Sequence, residues 1–227
     1  MIRRARGSLR EGGLRITITK PYIILLDYFY DFVHRLDTTR WVYASDGQAD
    51  YGSLVGARPY QPTRVWPLRR LLRKLVDSFP EERVLVDFGC GKARVLIIAS
   101  EFGFHAARGV EVSGQLCEIA RQNCDRHQKA VTTTTRFEVI QQDAAEYRIR
   151  DDENIFFMFN PFDRSTLGSV LANISDSLKS APRTIFIIFN NIQFPDVLES
   201  AGFLPFKTEL SFGGHKFTIY SQSQAPI

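Results

Sequence analysis

The chain has 227 residues, of which 44% are hydrophobic and 24% charged, a composition typical of a soluble globular protein with a substantial core. Its three cysteines form no CxxC pair, which argues against a zinc site and a disulfide scaffold, and reduced thiols favour a cytoplasmic location. The net charge is +4, but residues 1–20 hold six basic residues and one acidic residue, so they carry +5 and the rest of the chain carries −1.

Residues 1–58 are predicted to form a flexible basic tail and an N-terminal helical appendage. The tail, residues 1–20, is either a solvated end or a segment for an anionic partner such as RNA or a membrane surface. The next run, PYIILLDYFYDFVHRL, meets charges too soon to be a transmembrane segment. Its polar residues Asp27, Asp31, His34 and Arg35 share one helical face, which predicts a helix laid against the main domain with His34 in solvent. A membrane-surface or partner-binding helix is the alternative.

The pattern changes at about Tyr60, where a leucine-rich basic helix, VWPLRRLLRKLVDSF, ends before Pro80. The predicted strands that follow are Val84–Phe88, Ala107–Val112, Phe137–Gln141, Ile155–Phe159, Thr184–Phe189, Leu204–Thr208 and Lys216–Ser221. The predicted helical stretches between them are Ala93–Phe102, Gly114–Gln128, a short turn near Ala144, Ser165–Leu178 and Phe194–Ala201.

Alternation of strands and helices predicts an α/β fold, because parallel strands need long crossover connections. The last two strands have only a short connection, which suits a hairpin and reverses one strand. We therefore expect a doubly wound seven-stranded sheet over residues 59–227, with six parallel strands, one antiparallel strand and helices on both faces.

A glycine turn follows the first predicted strand, at Gly89, Cys90 and Gly91. Glycine permits unusual backbone angles and close approach of a ligand at such a strand end. A dinucleotide site needs a third glycine, G-x-G-x-x-G, and Arg94 occupies that position. The turn therefore predicts a cofactor site that is not a dinucleotide site.

Carboxylates end three successive predicted strands beside this turn. Asp87 would repel a pyrophosphate but suits cationic amino and sulfonium groups. Glu111 ends the second strand and is able to accept hydrogen bonds from ribose hydroxyls, while Ser113 caps the helix beginning at Gly114. Asp143 follows the third strand and suits an adenine amino group, with Ala144 as a backbone donor.

With these residues the sequence resembles the class I S-adenosylmethionine-dependent methyltransferases. The resemblance rests on VLVDFGCGKARVL, GVEVS, QQDA and FMFNPFD, and it covers about Tyr60 to Tyr220. It implies S-adenosyl-L-methionine as cofactor and a cofactor-covering segment at YQPT, with Tyr60 and Thr63 in contact. Family members usually have glycine where this chain has Ala93, so the methyl group of Ala93 is expected to tilt the helix or narrow the methionine slot.

The segment Asn160-Pro161-Phe162 ends the fourth predicted strand and resembles the N/D-P-P-Y/F loop of amino-methylating enzymes. Asn160, with the Pro161 carbonyl, is expected to accept hydrogen bonds from an amine or amide acceptor, and Phe162 to form an apolar wall for developing positive charge. The alternative is a strand-ending turn, in which Asn160 is extended or in a bend. Asp163 is a general base or, preferably, a helix N-cap, and Asn190 and Asn191 contact the acceptor or form a turn.

The sequence thus predicts a methyltransferase that favours N-methylation and leaves the acceptor open among a protein side chain, RNA and a small amine. The alternative function is an inactive methyltransferase-like module that binds RNA or protein. A nucleotide-dependent oxidoreductase is disfavoured by Arg94 and Asp87. Arg94 itself is predicted to be an ion-pair partner.

Overall fold

The computed structural model describes residues 21–40, 60–210 and 215–222. Its helices are α1 (residues 21–34), α2 (Val65–Leu75), α3 (Arg94–Ser100), α4 (Gly114–Ala130), α5 (Arg164–Ser180) and α6 (Pro195–Ser200). Its strands are β1 (Val84–Phe88), β2 (Ala106–Glu111), β3 (Arg136–Gln141), β4 (Ile155–Met158), β5 (Ile185–Asn190), β6 (Leu204–Leu210) and β7 (Lys216–Gln222). Short 3-10 turns lie at Val76–Ser78 and Ala144–Glu146. Each predicted strand and helix of the main domain is present, with ends shifted by at most two residues except in α2. That helix ends at Leu75, four residues before its predicted end, and the 3-10 turn follows it.

The strands form one sheet in the order β3-β2-β1-β4-β5-β7-β6. Neighbours from β3 to β5 pair in parallel, whereas β7 runs antiparallel to both β5 and β6, so six strands are parallel and one is reversed. The predicted architecture is confirmed. The strand order reverses between β1 and β4, and in a sheet of this kind a ligand binds at that point, outside the carboxyl ends of the strands.

Two apolar cores lie on opposite faces of the sheet. Helices α2, α3 and α4 supply one core together with side chains such as Leu85 of β1, while α5 and α6 supply the other together with Val86 and Phe88. Successive residues of β1 enter opposite cores because side chains alternate along a strand. The buried sheet thus fixes where β1 and β4 end.

Helix α1 lies on the side of the sheet that carries α2, α3 and α4, with its aspartates directed inward. Asp27 is fully buried and pairs with Arg94 of α3 at 3.2 Å and with Arg64 at 2.8 Å. Asp31 accepts hydrogen bonds from the backbone N–H groups of Thr38 and Thr39. The prediction that this helix lies against the main domain is confirmed. Its polar stripe faces inward because the buried guanidinium of Arg94 needs carboxylate partners.

The expectation that His34 is solvated is wrong. Its ring is half-buried, 4.3 Å from the ring of Tyr30 and 6.1 Å from that of His127 in α4. None of the helices formed by the described residues is both long and apolar enough to cross a membrane. The division at residue 58 stays a prediction, and the basic tail lies outside the described residues.

Candidate functional site

A cavity of about 330 Å³ opens at the carboxyl ends of the strands, where the sheet order reverses. Gly89, Glu111, Gln142 and Phe159, which end or directly follow β1 to β4, all line it. The structure brings every candidate site residue predicted from the sequence to this one cavity: Tyr60, Thr63, Asp87, Gly89, Cys90, Gly91, Glu111, Asp143, Ala144, Asn160, Pro161 and Phe162.

The glycine turn has the backbone that its sequence predicts. Gly89 and Gly91 have φ of 74° and 53°, in the region that favours glycine. A Cβ on Gly89 would lie 2.7 Å from Cβ of Pro161, and one on Gly91 would collide with the ring of Tyr60. The turn therefore needs glycine for its conformation and also to let the β4 loop and Tyr60 approach.

Ala93 occupies the position at which the resembling enzymes have a third glycine. Its φ is 67°, a left-handed conformation that is strained for alanine, and its side chain is fully buried in the core beneath the turn. Ala93 is absent from the residues that line the cavity. The expectation that its methyl group narrows the cofactor slot is therefore wrong, since that group packs into the core.

We expect Ala93→Gly to change ligand affinity by less than about threefold, because the methyl group lies outside the cavity. Gly91→Ala adds the same methyl group where Tyr60 packs, and it should lower both affinity and the melting temperature. Calorimetric titration and thermal unfolding of the two variants check this pair. An affinity change on Ala93→Gly that equals the change on Gly91→Ala would contradict it.

Glu111 at the end of β2 ties the glycine turn to the β2 loop. Its carboxylate accepts hydrogen bonds at 3.0 Å from the backbone N–H groups of Gly91, Val112 and Ser113. These donors lower the pKa of Glu111, but burial outweighs them and raises it above its ordinary value. Ser113 accepts from the N–H of Leu116, as expected of the N-cap of α4.

Asp87 at the end of β1 stands apart from the other buried acids. Its side chain is 3% exposed, and no donor in the described part of the chain bonds to its carboxylate. Burial raises the pKa of Asp87 well above its ordinary value, and the nearby Glu111 raises it further. A buried carboxylate without a partner is costly, and in this position it favours a cationic ligand in the cavity.

Asp143 and Ala144 begin the 3-10 turn after β3. The Asp143 carboxylate accepts a hydrogen bond from the N–H of Ala145 at 2.8 Å, which fixes one oxygen and caps the turn. Both residues line the side of the cavity formed by β2 and β3, where the apolar side chains of Val112 and Leu116 lie. The carboxylate of Asp143 beside these apolar side chains is suited to the amino group and the flat ring of adenine.

The loop after β4 brings Asn160, Pro161 and Phe162 to the opposite end of the cavity. Asn160 is not extended, because its φ is 44°, a left-handed conformation that asparagine tolerates better than most residues. Its Nδ2 donates to the carbonyl oxygen of Asn191, and no donor among the described residues bonds to its Oδ1. The amide is thus held by its nitrogen, with the oxygen left as an acceptor.

The residues around the Asn160 loop either line the cavity or support its structure. Asp163 caps α5 by accepting from the N–H of Thr166 at 2.9 Å, which confirms the N-cap prediction and lowers the pKa of its carboxyl group. Asn191 lines the cavity, whereas Asn190 is fully buried in the end of β5 and does not. Phe162 packs edge-on to Phe88 at 6.3 Å, so its ring is supported from the core.

A second layer of polar contacts joins the segment before α2 to the glycine turn. Arg94 donates to the hydroxyl of Thr38 at 2.7 Å and to the carbonyl of Thr63 at 3.0 Å, and its ion pair with Asp27 confirms the prediction for this residue. Tyr60 donates its hydroxyl hydrogen to the carbonyl of Thr38 at 2.6 Å. These bonds hold Tyr60 and Thr63 over the turn and connect the wall of the cavity to α1.

Sequence reasoning missed several cavity residues. Gln142 adjoins Asp143, and Phe159 adjoins Asn160, so each lies one position from a candidate and was detectable as its neighbour. Gln193 belongs to the loop after β5 and carries no motif that would have identified it. Among the described residues no cluster of His, Cys, Asp or Glu is suited to hold a metal ion.

The chain is similar to known proteins in structure but not in sequence. No family model and no curated protein matches the chain. The crystal structure of an RNA methyltransferase from Salinibacter ruber, in complex with S-adenosyl-L-homocysteine, has a TM-score of 0.53 and 20% identity, over 74% of this chain and 97% of that one. Magnesium protoporphyrin IX methyltransferase from Synechocystis PCC 6803, with bound SAH, has a TM-score of 0.52 and 14% identity, over 92% and 100%.

A SAM-dependent methyltransferase from Aquifex aeolicus is similar to the same degree, with a TM-score of 0.52 and 11% identity, over 71% of this chain and all of that one. The chain has the class I methyltransferase fold. Within this fold, the glycine turn after β1 and the Asn160 loop after β4 meet at the reversal of strand order. Fold alone does not determine activity, which has to be argued from the cavity residues.

Proposed function

We propose that the protein is a methyltransferase that uses S-adenosyl-L-methionine and methylates a nitrogen atom of its acceptor. The observation that carries this proposal is the carboxylate of Asp87, which is buried at the cavity wall and receives no hydrogen bond from the described residues. A ligand with an ammonium and a sulfonium group supplies the positive charge that this carboxylate lacks. A dinucleotide would place its pyrophosphate beside Asp87, which like charge disfavours.

The remaining lining residues fit the other parts of this cofactor. Glu111 keeps unused lone pairs for ribose hydroxyls after it has accepted its three backbone N–H groups. Asp143 has one carboxylate oxygen engaged with Ala145 and the other left for an amino group of adenine. Val112 and Leu116 offer the apolar contact that a flat base requires.

Bound S-adenosylmethionine supplies a methyl group that its sulfonium has already activated. The protein therefore has to align a nucleophile and exclude water. In this proposal the Oδ1 of Asn160, to which none of the described residues donates, accepts an N–H of an amine or amide and so directs the nitrogen lone pair toward the cavity. The ring of Phe162, supported by Phe88, gives an apolar wall that stabilises positive charge as it develops on that nitrogen.

The experiment that tests the proposal is calorimetric titration of the purified chain with S-adenosylmethionine, S-adenosylhomocysteine and NAD, followed by transfer of labelled methyl into fractionated lysate. We expect binding of the first two ligands and none of NAD. Treatment of the labelled fractions with protease or nuclease assigns the acceptor to protein, RNA or small amines. Binding without transfer to any fraction would favour a binding module, and binding of NAD alone would overturn the proposal.

A further inference from the structure

Helix α1 presents an apolar face to solvent. Its two aspartates face the domain together with Ile23 and Tyr30, whereas most of its other large hydrophobic side chains point away from it. This outer face is formed by six residues: Tyr22, Leu25, Tyr28, Phe29, Phe32 and Val33. Leu25, Phe29 and Phe32 are 65%, 62% and 81% exposed, values that are unusual for such side chains. Their spacing of three and four residues makes the face one continuous stripe.

The outer face bears no carboxylate, and the sequence that precedes it is mainly basic. The only acids between residues 21 and 36 are Asp27 and Asp31, and both are buried against Arg94, Thr38 and Thr39. The exposed stripe therefore carries no carboxylate. The segment that precedes it, residues 1–20, has six basic residues and one acidic residue and ends at Lys20, directly before α1. An apolar stripe with aromatic residues is thus continuous in sequence with a charge of +5.

We propose that the outer face of α1 and the basic tail together bind an anionic lipid membrane surface. A helix that lies in a membrane interface places Phe, Leu and Tyr at the boundary between headgroups and acyl chains. Basic residues beside it are attracted to anionic headgroups, and the two contributions add. This activity is separate from methyl transfer and does not rest on it.

A second copy of the chain is a poorer occupant of the same face. Two copies that met through α1 would each offer an apolar stripe without a carboxylate, so neither tail would find a complementary charge on the opposing stripe. An anionic lipid surface satisfies both features at once, because it is apolar below and negative above. Charge complementarity therefore decides for the membrane.

The test is flotation of the full chain with two kinds of vesicle, phosphatidylcholine alone and phosphatidylcholine mixed with phosphatidylserine. We expect the chain to float with the mixed vesicles and less with the neutral ones. The double variant Phe29→Gln/Phe32→Gln should weaken binding to mixed vesicles by at least about tenfold, through loss of buried apolar area. The tail variant Arg3→Gln/Arg4→Gln/Arg6→Gln should weaken it by about tenfold or more, and only on anionic vesicles.

A matched control is the double variant Leu204→Gln/Phe206→Gln, which removes two exposed apolar side chains from β6. It should bind the vesicles as the wild type does. All variants should unfold at about the wild-type temperature, since the replaced apolar side chains are more than half exposed. Absence of flotation by the wild-type chain, or an equal loss in the β6 control, would overturn the proposal. So would a dimer in sedimentation that Phe29→Gln/Phe32→Gln dissociates while no vesicle binding is seen.

Discussion

Asp87→Asn is expected to raise the melting temperature of the free protein and to remove most of its affinity for S-adenosylmethionine. The stability gain follows from the raised pKa of Asp87, which means that the folded state binds this proton more tightly than the unfolded chain does. As pH rises from the ordinary aspartate pKa toward the folded-state pKa, the wild type loses stability. The loss is about 1.4 kcal/mol for each unit by which the pKa is raised, and it is complete at higher pH.

Asparagine has a similar shape and no charge to bury, so the variant should escape this loss. The gain should be largest above the folded-state pKa and should vanish at a pH below about 4, where the wild-type carboxyl is protonated in both states. Thermal unfolding of both proteins across pH measures the difference. Asp125→Asn, at an exposed position on α4, is a matched control and should not give this gain, because its carboxylate is not buried.

The loss of affinity in Asp87→Asn comes from the same charge. Burial of the Asp87 carboxylate destabilises the free protein, but the cationic ligand needs that carboxylate as its partner. Loss of a charged hydrogen-bond partner lowers affinity by roughly tenfold to a hundredfold. In the wild type, affinity should weaken as pH falls through the raised pKa of Asp87, since the cationic ligand binds the ionised form. In Asp87→Asn that dependence should disappear. A variant that binds as tightly as the wild type at neutral pH would show that Asp87 does not contact the ligand.

Glu111 is a weaker target for the same test, although it is an acid of the same cavity. Its carboxylate already accepts from Gly91, Val112 and Ser113. Replacement would leave buried N–H groups without acceptors and would disturb the glycine turn itself. A loss of affinity would then report on folding as well as on binding. Asp87, which holds no hydrogen bond to the part of the chain that the structure describes, separates the two effects and is the more informative position.

The order of elements was predictable because the sheet is buried on both faces. Strands such as Val84–Phe88 and Ile185–Asn190 are almost entirely apolar and are separated by helical patterns, so both periodicities are visible in one sequence. The ends of these strands then bring Asp87, Glu111 and Asn160 to one edge, whatever the details of the loops. The candidate site was predictable for that reason.

The orientation of α1 was not predictable from its own residues. Amphipathic patterning assigns the apolar face of a helix to the core, yet here Asp27 and Asp31 face inward. The reason lies in α3, where Arg94 is 2% exposed and needs buried carboxylates. Arg94 is the only charged residue in the apolar stretch Ala93–Ala99. That pattern predicts an ion pair but does not identify the partner.

Left-handed backbone was the second feature that the sequence concealed. Ala93, Asn160 and Asn191 have φ of 67°, 44° and 55°, although alanine rarely adopts such values. At Asn160 the rule that a residue before proline is extended suggested another conformation. The contact of Pro161 with Gly89 and the bond from Asn160 to Asn191 outweigh that local preference. Such contacts join distant parts of the chain and leave no local pattern.

Asn160→Gly is expected to lower kcat by about a hundredfold with little change in cofactor affinity, if Asn160 positions the acceptor nitrogen. Glycine adopts the φ of 44° without strain, so this variant removes the side chain and keeps the turn. Asn160→Ala would add left-handed strain to the lost amide and would confuse the two effects. Cofactor affinity should persist because Asp87, Glu111 and Asp143 lie on other loops of the cavity.

Asn191→Gly is the matched comparison for the Asn160 variant. Asn191 is also left-handed, with φ of 55°, and its side chain also bonds to backbone, accepting from the N–H of Lys216 at 2.9 Å. Its carbonyl, which receives the Asn160 amide, is retained in the glycine variant. We therefore expect single-turnover methyl transfer to slow far more in Asn160→Gly than in Asn191→Gly, with equal cofactor dissociation constants. Equal rates in the two variants would mean that the loop after β4 only ends the strand, and the preference for a nitrogen acceptor would lose its basis.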